Sequence, residues 1–475
     1  MFIRKEITSP RYLKINFMKF TKSKNANINY LAKIVEINTF TKHPNPEVLR
    51  LKCCVIDGYN VVVGIDYESG KYIYFPSGCA INPNLLSHLN LYRDSARNNN
   101  HEQTGMFEDN GRVKSIKLKG VVSEGFLLPL ESVLHWISSE TSLDINMDDF
   151  DVNIEFDTFE HKDKSFWINK KYIVQRQLPN NSNPQRNRQK KLKRFNKVID
   201  SQFRFHYDTT LLRKDPYAIN PEDVISITSK WHGTSTIHAY VLCNRPKTFL
   251  EKCLSWLIPI NTTKYDYLYS SRSVIKNQYY NEGVKAGFYG CDVWGEADKI
   301  LKPYLQKGMT IYAEIVGFTP DGKYIQKGYD YGCDSVRMDG TYEYDRNFKI
   351  RIYRITLTNV DGIVHEFSAR EVQQWCDARG LNAVEELYYG PAGDLYPDIP
   401  EDENWSKNFI DRLADDANFY MEKNSPDCNN KVPHEGIVIK KEDMHSAAWK
   451  LKCFNFINGE SKLLDAGESN IEDEN

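Results

Sequence analysis

The chain has 475 residues, of which 41% are hydrophobic and 13% aromatic; this composition excludes wholesale disorder and predicts two or three domains. The formal net charge of −2 gives no overall basic signal, although the charge is unevenly distributed. None of the ten cysteines forms a CxxC pair, and no apolar run approaches the ~20 residues of a membrane span. We therefore expect reduced thiols, no membrane partner and an intracellular, cytoplasmic location. Seven Lys or Arg residues within 1–25 leave organelle targeting open, but we favour a flexible basic arm over residues 1–28.

Residues 29–150 have the pattern of short strands separated by turns. The segments "AKIVEINTF", "VLRLKCCVI", "YNVVVGID" and "KYIYFP" are rich in Val, Ile and Tyr, and "HPNPE", "DG" and "ESG" separate them. The stretch "GRVKSIKLKGVVSEGFLLPL" adds two more strand candidates. This spacing predicts a small OB-like β-barrel that binds nucleic acid.

Alternation within "RVKSIKLKG" predicts four cations on strand surfaces: Arg112, Lys114, Lys117 and Lys119. A barrel face of this kind could follow a phosphate backbone. An ordinary solvated strand face is an equally good interpretation of the same pattern.

Two further segments differ in composition from the rest. The sequence "LPNNSNPQRNRQKKLKRF" is rich in Asn and Pro and then basic, which predicts a basic interdomain linker over residues 151–200. From Glu460 onward the chain has six acids and one lysine, which predicts an acidic C-terminal tail over 459–475. Residues 201–458 remain for a second folded domain.

The second domain mixes strand and helix patterns. Strand candidates are "VISIT", "TIHAYVL", "TIYAEIVGF", "KIRIYRITLTN", "EGIVIKK" and "AWKLKCFNF". Ser368 and Glu371 form a capping box that predicts a helix ending at Gly380, and "NWSKNFIDRLADDANFYMEK" predicts a second helix. The fold class is therefore predicted to be α+β, with antiparallel sheets and helices in the second domain.

Five charged residues interrupt the strands of this domain: Lys230, Glu314, Glu435, Lys450 and Lys452. Burying such charges singly in a core would be costly. They cost less if they converge on one charged ligand. Lysines and carboxylates together suit a triphosphate with a divalent metal.

In the order KxHG, AEIVG, EGIVIK and WKLK, these motifs resemble those of the lysyl-nucleotidyltransferase superfamily, which includes polynucleotide ligases and capping enzymes. The resemblance covers most of residues 221–456 and implies an adenylyltransferase (ATP-grasp-like nucleotidyltransferase) domain. It implies that Lys230 attacks the α-phosphate of ATP and that Glu435 holds Mg²⁺ or Mn²⁺. The other nucleotide-binding residues that it implies are Ser229, His232, Gly233, Arg272, Glu314, Tyr353, Lys450 and Lys452.

Several roles follow from the same resemblance. Glu314 matches a carboxylate near the ribose, and Tyr353 lies where an aromatic side chain stacks on the base. Arg272, in "SSRSVIKN", matches a phosphate contact, and Gly233 is expected to let the backbone approach the phosphate closely. Neighbouring lysines and metal are expected to lower the pKa of Lys230 from the usual ~10.4, so that its free amine can attack.

The KxHG variant and the domain order resemble ATP-dependent RNA ligases with an N-terminal OB domain. Only 23 residues follow Lys452, which is too few for the OB domain that follows this motif in DNA ligases. The resemblance implies joining of RNA 3′-OH and 5′-phosphate ends at nicks in a duplex, in RNA repair, by a monomer. This chain is longer than such relatives, and residues 250–264 and 385–430 have the pattern of insertions.

Two alternatives remain open from the sequence. One is a non-catalytic RNA-binding protein with a degenerate transferase domain, against which the intact charged motifs argue. The other is a DNA-specific ligase. For His232, a structural role is an alternative to positioning the ribose or a neighbouring group, and the preference for ATP over GTP rests on the resemblance.

Overall fold

The computed structural model describes residues 18–142, 145–161, 164–174, 197–206, 209–277, 287–443 and 447–467. The chain divides into two compact units, Met1–Tyr172 (unit 1) and Ile173–Asn475 (unit 2). Residues 1–17 of the predicted arm, 175–196 of the predicted linker and 468–475 of the predicted tail lie outside the described residues. No helix in the described part of the chain combines the length and apolarity needed to cross a membrane.

Unit 1 is built mainly from short antiparallel strands. Its strands are β1 (Met18–Thr21), β2 (Ala32–Ile37), β3 (Thr41–Lys42), β4 (Leu51–Ile56), β5 (Tyr59–Gly64), β6 (Gly70–Phe75), β7 (Cys79–Ile81), β8 (Ser115–Leu118), β9 (Val121–Glu124), β10 (Phe126–Pro129), β11 (Glu155–Phe156), β12 (Thr158–His161), β13 (Lys164–Trp167) and β14 (Asn169–Lys171). Its helices are α1 (Pro83–His88) and α2 (Leu130–Thr141). The four strands predicted between residues 31 and 76 are thereby confirmed.

The strands of unit 1 form several small sheets. The orders are β10-β6-β2-β11, β1-β12-β13, β3-β4-β5, β14-β7 and β8-β9. Among the described residues this pairing does not close into one barrel, so it does not establish the predicted OB-like barrel. The sheet β10-β6-β2-β11 and helix α2 share one apolar core. The residues that α2 contributes lie on one face of the helix: Val133, Leu134, Trp136 and Ile137.

Unit 1 continues beyond residue 150. Strand β11 pairs with β2, β12 pairs with β1, and β14 pairs with β7. The sequence predicts a basic linker over residues 151–200, and this prediction is wrong for residues 155–171, which contain strands of unit 1. Their place in the sheets has a physical reason, because Phe156, Phe159 and Ile168 are buried in the core of unit 1.

Unit 2 contains two five-stranded sheets. Its strands are β15 (Thr210–Leu211), β16 (Val224–Ser229), β17 (Thr234–Asn244), β18 (Thr263–Ser270), β19 (Met309–Gly317), β20 (Phe348–Thr358), β21 (Val364–Glu366), β22 (Glu386–Pro391), β23 (Gly436–Lys441) and β24 (Ala448–Lys452). The first sheet has the order β15-β24-β23-β16-β22, and the second has the order β18-β17-β19-β20-β21. All pairs are antiparallel except β15 with β24.

Among the described residues of unit 2, the helices pack against these sheets except for the first, which lies between β17 and β18 and has no buried residue. They are α3 (Phe249–Leu254), α4 (Val293–Leu301), α5 (Ala369–Asp377), α6 (Ala392–Leu395), α7 (Trp405–Ala414) and α8 (Phe454–Asp465). Helices α4 and α5 share a core with the second sheet, and α7 and α8 share a core with the first. The capping box of Ser368 and Glu371 is confirmed at the start of α5. The mixed α+β class of unit 2 is confirmed as well.

One predicted strand is wrong at its C-terminal end. The stretch "AWKLKCFNF" is expected to be a single strand, but β24 ends at Lys452 and α8 begins at Phe454. Phe456 is buried in the core of the first sheet from its position in this helix. The helix therefore extends into the residues that are expected to form an acidic tail.

Candidate active site

The turn that holds Lys230 connects the two sheets of unit 2. Strand β16 ends at Ser229 in the first sheet, and β17 begins at Thr234 in the second. The backbone N–H of Lys230 donates to the carbonyl of Gly436 at 2.9 Å, and that of Ser229 donates to the carbonyl of Glu385 at 3.2 Å. These bonds fix the backbone from which the Lys230 side chain projects.

Gly233 is required by the close approach of two strands. A Cβ atom at this position would lie 2.3 Å from the carbonyl oxygen of Ile315 and 2.7 Å from the side chain of Val316. The Gly233 N–H donates to Oε1 of Glu314 at 3.1 Å. From the sequence this glycine is expected to admit a phosphate, whereas the structure gives packing against β19 as the reason.

Glu435 is the centre of a buried cluster of charges. Its side chain is only 1% exposed, and its Oε1 lies 2.7 Å from Nζ of Lys230 and 3.1 Å from Nζ of Lys452. Nδ1 of His232 lies 3.5 Å from Oε2. Burial disfavours the charged carboxylate, but the two lysines and His232 outweigh it and hold the pKa of Glu435 well below its usual range. Glu435 is therefore ionised at neutral pH.

The oxygens of Glu435 are suited to a divalent cation. Both are buried, and neither makes a hydrogen bond of normal geometry with the described residues, so ion pairs alone balance their charge. Mg²⁺ is commonly held by one or two carboxylates together with substrate phosphates and water. No three His, Cys, Asp or Glu side chains in the described ranges group into a metal site of their own. Glu435 therefore has the oxygen donors that a divalent cation requires.

A pocket opens beside Lys230 in unit 2. The predicted site residues that line it are Ser229, Lys230, Arg272, Glu314, Tyr353 and Lys450. The other four predicted residues, His232, Gly233, Glu435 and Lys452, lie outside this lining. Apart from Gly233, the predicted set therefore divides into a pocket wall and a buried cluster around Glu435, and the two groups meet at Lys230.

The lysines of β24 lie opposite its core-facing residues. Trp449 and Leu451 pack into the core of the first sheet. Lys450 and Lys452 alternate with them, so they occupy the other face of the strand. Lys450 reaches the pocket, and Lys452 reaches Glu435.

Tyr353 reaches the pocket from a bulge in β20. The pairing of β19 with β20 shifts between Tyr312 and Ala313, which leaves Tyr353 as the extra residue. The Tyr353 hydroxyl lies 3.3 Å from Oγ of Ser235. Burial and the nearby charge of Glu314 raise the pKa of Tyr353, which stays neutral. The bulge turns an aromatic ring toward the pocket without interrupting the sheet.

Two titratable residues behind Lys230 were not predicted. The Ser229 hydroxyl donates to Oδ2 of Asp427 at 3.1 Å, and it lies 3.2 Å from Nε2 of His434. Burial raises the pKa of Asp427 and lowers that of His434, because it disfavours the charged form of each side chain. Asp427 lies in the stretch that has the pattern of an insertion, and no motif there indicates it.

Tyr331 holds the KxHG turn by hydrogen bonds and by ring stacking. The Tyr331 hydroxyl accepts from the backbone N–H of His232 at 3.1 Å and donates to the His232 carbonyl at 2.9 Å. Its ring stacks on Trp231 with 4.9 Å between centroids, and the Arg351 guanidinium lies 4.6 Å from the ring centre of Trp231. Tyr331 is about one hundred positions away in sequence, so only the fold reveals this contact.

Further charged residues complete the surroundings. Arg354, Glu366 and Lys440 also line the pocket, and both cations contact the Glu366 carboxylate, at 2.6 Å and 3.2 Å. Oε2 of Glu460, on α8, lies 3.4 Å from Nζ of Lys452. The sequence pattern places Glu460 in the acidic tail instead.

The predicted cations of unit 1 do not share one strand. Strand β8 begins at Ser115, so Arg112 and Lys114 precede it and Lys117 lies within it. Lys119 lies in the following turn with φ of 48°. Arg112 is buried, with its guanidinium 5.6 Å from the ring centre of Tyr172. The expectation of four cations on strand surfaces is therefore wrong for Arg112, Lys114 and Lys119.

Comparison with known proteins adds information on the fold. No protein-family model matches this chain, and no curated protein matches its sequence. A structure of Naegleria gruberi RNA ligase with PPi is 13% identical, with a TM-score of 0.50 over 92% of this chain and 100% of that one. A lysine-to-alanine mutant of the same ligase with ATP and Mn is 12% identical, with a TM-score of 0.51 over 92% of this chain and 99% of that one. At these identities the similarity shows a shared fold.

Proposed function

We propose that this protein is an ATP-dependent RNA ligase that forms a covalent lysyl-AMP intermediate on Lys230. The observation that carries the proposal is the position of Lys230. It lies 2.7 Å from the buried carboxylate of Glu435 and at the wall of a pocket that also contains Glu314, Arg272 and Lys450. The fold shared with an RNA ligase solved with ATP and Mn supports the same function.

The proposed reaction has three transfers. The Lys230 amine attacks the α-phosphorus of ATP, a phosphorus–nitrogen bond forms, and pyrophosphate leaves. The 5′-phosphate of RNA then attacks the same phosphorus, which returns the lysine amine and gives an adenylylated RNA end. Attack by the RNA 3′-OH forms the phosphodiester and releases AMP.

Deprotonation of Lys230 is the first requirement of this sequence. The carboxylate at 2.7 Å favours the ammonium form, whereas attack requires the free amine. Glu435 would hold Mg²⁺ or Mn²⁺ together with ATP phosphates, and that ion would supply positive charge at the phosphate oxygens. Lys452 helps to hold the Glu435 oxygen that Lys230 also contacts, and His232 positions the other oxygen of the same carboxylate.

Different pocket residues are proposed to bind different parts of the nucleotide. We assign Lys450 and Arg272 to the phosphates, Glu314 to the ribose and Tyr353 to the base. Gly233 and Ser229 act through the backbone of the turn that they flank. The neutral, partly buried ring of Tyr353 suits an apolar base face better than a charged phosphate.

Unit 1 is proposed to bind the RNA. We retain the OB-like interpretation and the contacts of Lys114, Lys117 and Lys119 with nucleic acid as part of this proposal, and we assign no such contact to the buried Arg112. A nicked RNA duplex with 3′-OH and 5′-phosphate ends is the proposed substrate, in RNA repair, and a monomer the proposed form.

The covalent step provides the first experiment. Purified protein with α-labelled ATP and Mg²⁺ or Mn²⁺ should become labelled at one site, and Lys230→Ala should not. Labelling of Lys230→Ala would remove the assignment, and labelling with GTP in preference to ATP would change the nucleotide. A non-catalytic protein would take no label at all.

Sealing distinguishes the two ligase classes. Nicked RNA and nicked DNA of the same sequence are offered to the adenylylated protein. We expect joining of the RNA ends. Preferential joining of DNA would favour the DNA-specific alternative.

A further inference from the structure

The hairpin between β17 and β18 ends in an apolar tip. Six large apolar side chains are exposed within ten residues: Phe249, Leu250, Leu254, Trp256, Leu257 and Ile258. Phe249 and Trp256 are 79% and 80% exposed. In the other described residues, exposed large apolar side chains are mostly isolated in the sequence. Concentrated exposure of this kind marks a surface that contacts something else.

The tip is held at its base by specific contacts. Thr248 and Glu251 form a capping box at the start of α3. Arg245 donates two hydrogen bonds to the Glu251 carboxylate, at 2.8 Å and 2.7 Å, and a third to the carbonyl of Asn261. Asn261 Oδ1 in turn accepts from the backbone of Thr263 at 2.8 Å. The polar base therefore fixes the direction in which the apolar side chains project.

The exposed side chains of α3 divide between two faces. At about 100° per residue, Phe249, Leu250, Cys253 and Leu254 share one face of the helix, and Lys252 is exposed on the opposite side. A protein groove and a bilayer interface both accept an apolar face of this kind. The charge around the tip therefore decides between them.

The charge around the tip has one sign. Between residues 245 and 264 there are four basic residues and a single acid, Glu251, which pairs with Arg245. Lys264 pairs with Asp266, so the excess positive charge lies on Lys247 and Lys252. Lys252 is exposed beside the apolar side chains. Aromatic and aliphatic residues flanked by lysines are typical of segments that lie in an anionic membrane interface.

We propose that residues 249–258 dock unit 2 on a lipid bilayer surface that carries anionic headgroups. Trp256, Leu257 and the apolar residues of α3 enter the boundary between headgroups and acyl chains, while Lys247 and Lys252 contact the headgroups. The sequence pattern predicts no membrane partner because long apolar runs are absent from it. A tip of ten residues is too short to give such a run, and its exposure is visible only in the fold. The proposal does not depend on the ligase activity.

The test is sedimentation of the full-length protein with vesicles. Phosphatidylcholine vesicles with and without phosphatidylserine are compared, and we expect binding to the anionic vesicles. The variant Trp256→Asp with Leu257→Asp should lower binding at least ~10-fold because charged groups replace the inserted side chains. The variant Lys247→Ala with Lys252→Ala should lower binding to anionic vesicles by roughly 10-fold and leave neutral vesicles unaffected.

A matched variant controls for general changes of surface charge. Val360 and Ile363 are 64% and 68% exposed in unit 2, away from the hairpin in sequence, so Val360→Asp with Ile363→Asp should bind vesicles like the wild type. Thermal unfolding verifies that each variant is folded.

Three results would overturn the proposal. The first is no binding of the wild type to anionic vesicles, and the second is equal binding by the tip variant. The third is a dimer, seen by analytical ultracentrifugation, that Trp256→Asp with Leu257→Asp dissociates without any vesicle binding. That result would identify the tip as a contact between two copies of the chain.

Discussion

Units 1 and 2 place their charged residues in different ways. In unit 2, Lys230 and Lys452 converge on Glu435, whose side chain is 1% exposed. In unit 1, Lys117 and Lys119 are exposed, and Arg112 is buried beside Tyr172. A buried charge is tolerated only where partners compensate it, so the arrangement in unit 2 is fixed by energetic necessity. Exposed cations are subject to no such requirement.

The difference also sets the size of expected effects. Coulomb interactions are strong where water is excluded, and salt screens those between exposed groups. Substitutions in the Glu435 cluster should therefore change a chemical rate greatly. Substitutions of the cations in unit 1 should change affinity moderately and depend on salt.

The largest expected effect belongs to Glu435. Glu435→Ala should lower the rate of adenylylation by ~10²-fold or more, the scale for losing one electrostatic stabiliser. Transfer of labelled AMP measures it. Glu460→Ala is the matched control, since Glu460 also contacts Lys452, at 3.4 Å, but belongs to a more exposed pair, and it should cost less than about fivefold. Equal losses in both variants would show that burial of the carboxylate does not matter.

The two lysines of β24 are expected to differ in their effect on stability. Lys452→Ala and Lys450→Ala should each lower adenylylation by ~10²-fold. Lys452→Ala should also lower the free energy of unfolding, by about 1–3 kcal/mol, because the buried Glu435 carboxylate then loses one of its two lysine partners. Urea unfolding of both variants separates the two effects. If Lys450→Ala destabilised the protein as much as Lys452→Ala, the assignment of Lys452 as a stabilising partner of Glu435 would be wrong.

Separating the units tests their division of labour. A fragment that begins at Ile173 should still form lysyl-AMP but should seal nicked RNA poorly, because sealing requires both RNA ends to be held in line. A fragment that begins near Asp200 would remove Val198, which is buried in a core of unit 2. Sealing by the longer fragment at the full-length rate would remove the role of unit 1. Loss of adenylylation in a folded fragment would assign unit 1 a part in the first step.

A smaller effect is expected from the exposed cations of unit 1. Lys117→Ala with Lys119→Ala should weaken RNA binding and reduce the slope of log K against log salt by ~0.7–0.9 for each phosphate that is no longer neutralised. Lys164→Ala, another exposed lysine of unit 1, is the control. Fluorescence titration at several salt concentrations measures both variants. An unchanged slope in the double variant would leave these lysines as an ordinary solvated surface.

Much of the site in unit 2 was predictable because its strand-forming sequences contain charged residues. A lysine or glutamate within a strand-forming sequence requires a compensating partner, so Glu435, Lys450 and Lys452 were visible as candidates without coordinates. Their distribution between pocket and buried cluster was not visible. It depends on which face of β23 and β24 meets which sheet, and that follows from long-range packing.

Other features left no local signal. Tyr331 holds His232 across a wide sequence separation, and Asp427 lies in a loop with no motif. In unit 1, strands at 155–171 were missed because polar residues such as Asp157 and Lys164 interrupt them. Their pairing with β1, β2 and β7 is decided by partners more than 80 residues away.

The smallest expected effect concerns the pH dependence of stability that the partly buried carboxyl group of Asp427 causes. Burial raises the pKa of Asp427, so its contribution to stability is fully present below the ordinary aspartate pKa near ~3.9 and is lost as pH rises through the raised value. Asp427→Asn stays neutral and can still accept a hydrogen bond from Ser229. It should therefore be more stable than the wild type at pH 7, by on the order of 1 kcal/mol or less, and equal to it below pH ~3.9. Urea unfolding between pH 3.5 and 7 measures the difference, and Asp148→Asn, at an exposed acid of unit 1, should stay within about 0.5 kcal/mol of the wild type. A wild type that is more stable than Asp427→Asn at pH 7 would mean that the charged form of Asp427 is stabilised by Ser229 and its neighbours despite burial, and the contrast between the two units would then not extend to this carboxyl group.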